Sequence, residues 1–350
     1  MLGKHALGNK RFPNKRFPNK QSLNKQLARM ALVGLLGTFS TLGVGCAATR
    51  SLFSPSSVAS GGDAIILTDV DFDPDSLIPE TQPVADYLGS KLGRAGISKG
   101  EVNIAPDVAT VAEWMESGEV NLYFDSVYPA MLVMEQSGAK PILRRWKDGV
   151  PEYGTFFVAR ADSGLSELDE LQGKMITLQE PSSSSGFMFP MVYMLEAGLN
   201  PVEKAEPNHT VAEDEVGYVF SGQEDITIEW ILDGRVIAGA VDDETWADLS
   251  DEEKSQLSII AETDKFPRHM VLAGPKLTPK QIETLQSVMT GMDNNRAGKE
   301  ALEFFSETAQ FDEFPEGAEA EIARLAGAYE LLQSHLASPE ATDLDEEPAQ

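Results

Sequence analysis

The chain has 350 residues, of which 42% are hydrophobic and 24% are charged, a composition typical of a soluble globular protein with a sizeable core. Its 28 basic and 56 acidic side chains give a formal net charge of −28, which disfavours binding to nucleic acid or to an anionic membrane surface. The single cysteine excludes an internal disulfide bond.

The N-terminal segment is predicted to direct export. Residues 1–45 contain no acidic side chain and end in an apolar run from Ala31 to Gly45. This run is shorter than the roughly 20 residues of a membrane span, so it predicts a signal peptide. Cys46 follows directly, in a position that resembles a bacterial lipoprotein processing site; the alternative is an ordinary cysteine at the end of the apolar run. Residues 46–62 are predicted to be a flexible tether.

Strand-like and helix-like segments alternate from Ala64 onwards. The predicted strands of a first unit are Ala64–Leu67, Val102–Ala105 and Val120–Phe124, and its predicted helices are Pro83–Leu92, Val108–Gly118 and Val127–Gly138. Such alternation predicts an α/β architecture with a mainly parallel sheet.

A second α/β unit is predicted to begin with a strand at Tyr153–Arg160. A short helix at Leu165–Gly173, strands at Lys174–Gln179 and Val236–Val241, and helices at Phe187–Leu195 and Ile226–Asp233 follow. Strands at Ile259–Ala261 and Met270–Ala273 are predicted to return to the first unit, and helices at Pro279–Asp293 and Ala318–Leu332 close the chain. The acidic residues 336–350 are predicted to be a disordered tail.

The most informative motif is the serine-rich turn at Glu180–Gly186, with the sequence EPSSSSG, between the strand at Lys174–Gln179 and the helix at Phe187–Leu195. The first turn of a helix has backbone N–H groups without an internal partner, and the helix dipole places partial positive charge there. Serine hydroxyls can also donate to an oxyanion. The motif therefore predicts a site for a phosphate-like group that needs no Lys or Arg, with an ordinary serine N-cap as the alternative.

Three segments in this order resemble the phosphate/phosphite/phosphonate-binding proteins of ABC transporters. They are Asp162–Lys174, Glu180–Pro190 and Ala238–Trp246, and the resemblance covers about residues 64–330. It implies a type II periplasmic-binding-protein-like fold, with two α/β lobes joined by a two-strand hinge. The implied boundaries are 63–154 and 265–335 for lobe one, and 155–264 for lobe two.

The resemblance also implies a set of ligand-binding residues. The hydroxyls of Ser183, Ser184 and Ser185 would bind the ligand from lobe two. Tyr128 would contact it from lobe one, and Ser126 could add a hydroxyl. Asp242 would accept a hydrogen bond from a ligand oxygen or amine, and thereby select a protonated oxyanion over sulfate. The alternatives are that Tyr128 packs in the core and that Asp242 is a loop acid or a helix cap.

One residue departs from the family pattern. Relatives commonly have a histidine in a Gly-Ser-His-Asp-like stretch, where this chain reads Gly222-Gln223-Glu224-Asp225. Glu224 would remove a donor and add negative charge near the anion. Either this loop is turned away, or Glu224 receives a ligand amine, or the ligand differs from that of the family.

The function implied by the resemblance is that of an extracytoplasmic solute-binding component of an ABC uptake system for phosphate, phosphite or phosphonate, which captures the oxyanion by lobe closure. Its partner would be an ABC permease, and it would be a monomer without cofactor, held at the membrane only by a lipid anchor on Cys46. The main alternative is a receptor for a membrane sensor kinase or another signalling partner. A phosphoester hydrolase is disfavoured, because the four histidines are scattered and no base stands near the serines.

Overall fold

The structure is a computed structural model that describes residues 63–71, 74–338 and 341–343. The predicted signal peptide, the tether and Cys46 lie outside the described residues. The strands are β1 (Ala64–Val70), β2 (Lys99–Ala105), β3 (Leu122–Asp125), β4 (Lys140–Arg145), β5 (Glu152–Tyr153), β6 (Thr155–Arg160), β7 (Lys174–Leu178), β8 (Pro201–Lys204), β9 (Val216–Phe220), β10 (Ala238–Asp242), β11 (Leu257–Glu262), β12 (Phe266–Pro267), β13 (His269–Ala273), β14 (Phe311–Asp312) and β15 (Thr342–Asp343). The α-helices are α1 (Pro74–Lys91), α2 (Val108–Ser117), α3 (Val127–Ser137), α4 (Phe189–Glu196), α5 (Glu224–Leu232), α6 (Asp243–Asp248), α7 (Asp251–Gln256), α8 (Pro279–Met289), α9 (Arg296–Phe304) and α10 (Ala318–Leu336).

The first sheet forms lobe one and has the strand order β14-β4-β13-β3-β1-β2. β1 pairs in parallel with β2 and β3, whereas β13 runs antiparallel to β3 and β4. α1 lies very close to β2, since a Cβ atom at Gly100 would stand 1.7 Å from the carbonyl oxygen of Ala85. Only glycine permits this approach of helix and strand.

The second sheet forms lobe two and has the strand order β11-β6-β10-β7-β9-β8-β15. Its centre is parallel, because β7 pairs in parallel with β9 and β10, and β8 with β9. The prediction that Ile259–Ala261 returns to the first unit is wrong: this segment lies in β11, which pairs antiparallel with β6 in lobe two. Leu257 and Ile260 of β11 are buried there, so apolar packing holds the strand on this sheet.

In the described residues, two of the crossings between the lobes contain a short strand each, and the chain crosses a third time between β14 and β15. β5 and β12 pair antiparallel, with Phe266 opposite Tyr153 and Pro267 opposite Glu152. The predicted fold class, two α/β lobes with a two-strand hinge, is confirmed; the sheet of lobe two is mainly parallel, whereas that of lobe one combines parallel pairs around β1 with antiparallel pairs around β13 and β4. In the described part of the chain, no helix is both long enough and apolar enough to span a bilayer.

The C-terminal segment contacts both lobes. α10 packs against β4 of lobe one and α4 of lobe two, with Leu325, Tyr329 and Leu332 buried. After α10, β15 pairs in parallel with β8, with Thr342 opposite Glu203. The residues predicted as a tail therefore include a strand, because the outer edge of β8 offers backbone groups for pairing.

Candidate functional site

The serine-rich motif forms a π-helical turn, Ser184–Met188, that continues directly into α4. Ser183 is the N-cap, and its Oγ accepts a hydrogen bond from the backbone N of Gly186 at 2.8 Å. A Cβ atom at Gly186 would lie 2.3 Å from Cβ of Gln179, so this position requires glycine. Ser184 and Ser185 are buried, with 1% and 5% of their surface exposed. The turn therefore presents capping groups and hydroxyls at a helix N-terminus, as the sequence indicates.

The N-terminus of α3 in lobe one faces this turn. The backbone N–H of Tyr128, in the first turn of α3, donates a hydrogen bond to Ser184 Oγ at 2.7 Å. The bond joins residues that are 56 positions apart and belong to different lobes. Two helix N-termini, each with partial positive charge, thus meet at Ser184.

The side chain of Tyr128 is directed away from this meeting point. Its ring centroid lies 6.0 Å from that of Phe187 and 6.2 Å from that of Tyr329, and its Oη accepts a hydrogen bond from Gln333 Nε2 at 3.3 Å. The phenol therefore packs between lobe two and α10. The main chain of Tyr128, and not its phenol, contacts Ser184.

Ser126 is the N-cap residue of α3 and is bound to the preceding acid. Its backbone N donates to Asp125 Oδ1 at 2.7 Å, and its hydroxyl donates to the same oxygen at 3.2 Å. Tyr123 also donates its hydroxyl to Asp125. Burial raises the pKa of the Asp125 carboxyl, and the bonds from Tyr123 and Ser126 oppose the rise. In this conformation the Ser126 hydroxyl is therefore hydrogen-bonded to Asp125.

Asp242 and Glu224 form a carboxyl pair near the end of β10. Asp242 caps α6, because its Oδ1 accepts from the backbone N of Thr245 at 2.6 Å. Glu224 Oε1 accepts from the backbone N of Asp242 at 3.3 Å, and Thr245 donates its hydroxyl to Glu224 Oε2. Burial, followed by repulsion from Asp242, raises the pKa of Glu224 to about 8. At neutral pH Glu224 is therefore mainly protonated and adds little negative charge.

The hinge adds a tyrosine that the sequence analysis missed. Tyr153 of β5 is 1% exposed and lies close to the side chains of Ser185 and Ser184. Burial raises the pKa of Tyr153 to about 12, so its hydroxyl stays protonated and can donate. Thr155 Oγ1 donates to the carbonyl oxygen of Ser185 at 2.7 Å and fixes the turn against β6. The sequence signal that could have identified Tyr153 is an aromatic residue at the point where the chain is predicted to cross between the lobes.

The structure also places a cation near these groups. The guanidinium carbon of Arg268, which lies between β12 and β13, is 4.5 Å from the centroid of the Tyr153 ring. The sequence, by contrast, predicts an anion site that depends on hydroxyls and amides alone. Within the described ranges, no group of three or more His, Cys, Asp or Glu side chains could hold a metal ion.

Comparisons with known proteins agree with this architecture. A family model described as "ABC transporter, phosphonate, periplasmic substrate-binding protein" matches residues 69–316. The phosphate-import protein PhnD of Mycolicibacterium smegmatis is 30% identical over 224 residues, which are 61% of this chain and 68% of that protein.

Two solved structures share the fold. XAC2383 from Xanthomonas citri, bound to chloride ion, superposes with a TM-score of 0.72 at 24% identity, over 78% of this chain and all of that one. PhnD1 from Prochlorococcus marinus, in complex with methylphosphonate, gives 0.55 at 16% identity, over 77% of this chain and 98% of that one. The family match and the 30% identical relative confirm the resemblance inferred from the motifs: the chain belongs to the phosphonate-binding family of periplasmic substrate-binding proteins of ABC transporters.

Proposed function

We propose that this protein binds a tetrahedral oxyanion, namely phosphate, phosphite or a phosphonate, between its two lobes and delivers it to an ABC permease. The contact between Tyr128 N–H and Ser184 Oγ is the observation that carries this proposal. It brings an amide donor of lobe one and a hydroxyl of lobe two to one point. An oxyanion entering there would take up the hydrogen-bonding groups that the lobes now offer each other.

The proposed ligand groups come from three parts of the fold. The turn of lobe two offers Ser183, Ser184 and Ser185, lobe one offers the N-terminus of α3, and the hinge offers the Tyr153 hydroxyl. For a ligand of five heavy atoms, a ceiling of about −1.5 kcal/mol per atom gives about −7.5 kcal/mol, or low micromolar affinity. A few charge-assisted hydrogen bonds of about 1.5–3 kcal/mol each suffice for this affinity.

The Asp242–Glu224 pair supports selectivity for a protonated oxyanion. A carboxylate near an oxyanion is tolerated only when a proton lies between them. Phosphate, phosphite and phosphonates can carry that proton at neutral pH, whereas sulfate cannot. We therefore place Asp242, with Glu224 behind it, at the side of the site that discriminates against sulfate.

Calorimetric titration of the purified protein with phosphate, phosphite and methylphosphonate tests the proposal, with sulfate as the matched control. We expect micromolar binding of at least one phosphorus oxyanion and none of sulfate. Equal binding of sulfate would contradict the role of the carboxyl pair, and no binding of any of the four would contradict the site itself.

The attachment of the protein to the membrane is a separate part of the proposal. The position of Cys46 after the apolar run supports acylation of this residue and a periplasmic, lipid-anchored monomer. Replacing Cys46 with Ser should release the protein from the membrane fraction of the producing cell. Continued membrane association of the Cys46→Ser variant would contradict the anchor.

A further inference from the structure

Arg268 occupies the junction between the hinge and both lobes. Its backbone N donates to the carbonyl oxygen of Pro151 at 3.0 Å, which places the residue beside the start of β5. Its guanidinium reaches two carboxylates: Nη2 lies 2.8 Å from Glu244 Oε2 in α6 of lobe two, and 3.6 Å from Asp148 Oδ2 on the lobe-one side. The side chain is 13% exposed. Arg268 therefore bridges the lobes in the conformation in which the serine turn meets α3.

The guanidinium also lies against a hinge side chain beside the serine turn. Its carbon is 4.5 Å from the centroid of the Tyr153 ring, a cation–π distance. The phenol of Tyr153 lies close to Ser184 and Ser185, and the hydroxyl of Thr155, two residues further on, donates to the carbonyl oxygen of Ser185. One nitrogen of the guanidinium, Nε, is buried and has no hydrogen-bond partner. A buried donor of a charged group without a partner is costly and calls for a functional explanation.

The positive charge of Arg268 can offset the repulsion that an anionic ligand meets in this protein. The chain carries a net charge of −28, and β10, which ends in Asp242, contacts the serine turn, with Glu224 bonded to the backbone N of Asp242. An oxyanion entering the cleft meets repulsion from these acids, while hydroxyls and amides supply only dipoles. A guanidinium one ring away from the serine hydroxyls attracts the anion in a partly desolvated place, where charges interact more strongly than in water.

We propose that Arg268 is a positioning and specificity residue of the oxyanion site, which holds the Tyr153 ring so that its hydroxyl faces Ser184 and Ser185 and which favours the dianionic form of phosphate, a form that still carries the proton required beside Asp242. This inference rests on the proposed function. In this proposal Arg268, a cation that does not contact the anion, determines which charge state of the ligand binds more tightly. The planar guanidinium suits this role, because it can stack on a ring and pair with two carboxylates at once.

The test compares Arg268→Gln, which removes the charge, with Arg268→Lys, which keeps it. Phosphate affinity is measured at pH 5.5, where free phosphate is mainly monoanionic, and at pH 8, where it is mainly dianionic, with methylphosphonate in parallel. We expect Arg268→Gln to lose about tenfold at pH 8 and about threefold at pH 5.5. Arg268→Lys should keep the wild-type ratio between the two pH values. Glu224 titrates in every form of the protein, and Asp148 and Glu244, the acids paired with Arg268, keep a cationic partner in Arg268→Lys.

Arg235→Gln is the matched control. Arg235 also lies near an aromatic ring, 5.8 Å from Trp230, and also pairs with two carboxylates, Glu229 and Asp233, but it is exposed on lobe two. Its replacement should leave phosphate affinity unchanged at both pH values.

The possible outcomes distinguish a failure of the proposed function from a failure of the role proposed for Arg268. If the wild-type protein binds neither phosphate nor methylphosphonate, the proposed function fails. If the wild type binds and Arg268→Gln binds equally well, or loses the same factor at both pH values, the role of Arg268 is overturned. Should Arg268→Gln fail to fold, Arg268→Met, which also removes the charge, takes its place: a larger loss of affinity at pH 8 than at pH 5.5 supports the proposal, and an equal loss at both pH values overturns it.

Discussion

At the scale of single residues, the site brings together groups that differ in what they can give to an anion. Ser184 Oγ accepts the N–H of Tyr128 and keeps its own proton for donation. Tyr153 stays protonated because burial raises its pKa. Glu224 is kept neutral by burial and by Asp242. The site therefore combines hydrogen-bond donors with the carboxyl pair Asp242–Glu224. This pair carries less negative charge than two ionised carboxylates would.

Replacing Ser184 with Ala should weaken phosphate binding by about tenfold, because one hydrogen bond to a charged ligand is lost. Calorimetry gives the affinity, and thermal unfolding of the unliganded protein reports stability. Ser182→Ala is the matched control: Ser182 belongs to the same serine run but is exposed and donates to Glu180. Unchanged affinity in Ser184→Ala, or equal losses in both variants, would remove Ser184 from the site.

Glu224 should make the stability of the protein depend on pH. Its folded pKa of about 8 lies above the ordinary 4.5, so the folded state binds this proton more tightly than the unfolded state does. The stabilisation is complete below about pH 4.5 and is lost as pH rises to about 8. Glu224→Gln should show a shallower decline, which thermal unfolding between pH 5 and 8 measures; part of the decline remains, because burial raises the pKa of Asp69 to about 7. Parallel declines in variant and wild type would place the titration elsewhere.

For helices and strands, the sequence predicts an element well when residues within that element determine it, and poorly when contacts with distant segments do. The helix α3 follows from apolar spacing and the turn before α4 from its serine cap, so the sequence predicts both nearly in place. The location of β11 on lobe two and the approach of Tyr153 to the serines depend on pairing between distant segments. Local patterns do not contain this information. For the same reason no local pattern shows the packing of the Tyr128 ring against Tyr329 of α10, and the contact of Tyr128 with the ligand stays a prediction.

The C-terminal segment after α10 should act as an edge strand of lobe two. β15 pairs with β8, and His335 Nε2 lies 2.8 Å from the carbonyl oxygen of Pro201 at the start of β8. Removing residues 338–350 leaves His335 in place but exposes the β8 edge. We expect faster amide hydrogen exchange within Pro201–Lys204 and unchanged exchange in β1–β3. Faster exchange throughout both lobes would instead show that this segment supports the whole fold.

At the scale of the whole molecule, capture of an anion opposes the charge of the protein. The formal charge of −28 repels phosphate at long range, whereas the helix N-termini and Arg268 attract it only near the cleft. Salt shortens both interactions, but the exposed surface charge is screened more than the partly buried cation. Long-range repulsion should therefore control how fast the ligand arrives, and local donors should control how long it stays.

The association rate constant for phosphate should consequently rise with ionic strength between about 10 mM and 150 mM, as the screening length shrinks from about 30 Å to about 8 Å. Stopped-flow fluorescence of the native tryptophans at neutral pH measures this rate, with viscosity held constant. The dissociation rate should change less, because the contacts that retain the ligand are buried around Ser184 and Tyr153. An association rate that falls with added salt would show that a local positive potential, and not the net charge, guides the ligand into the cleft.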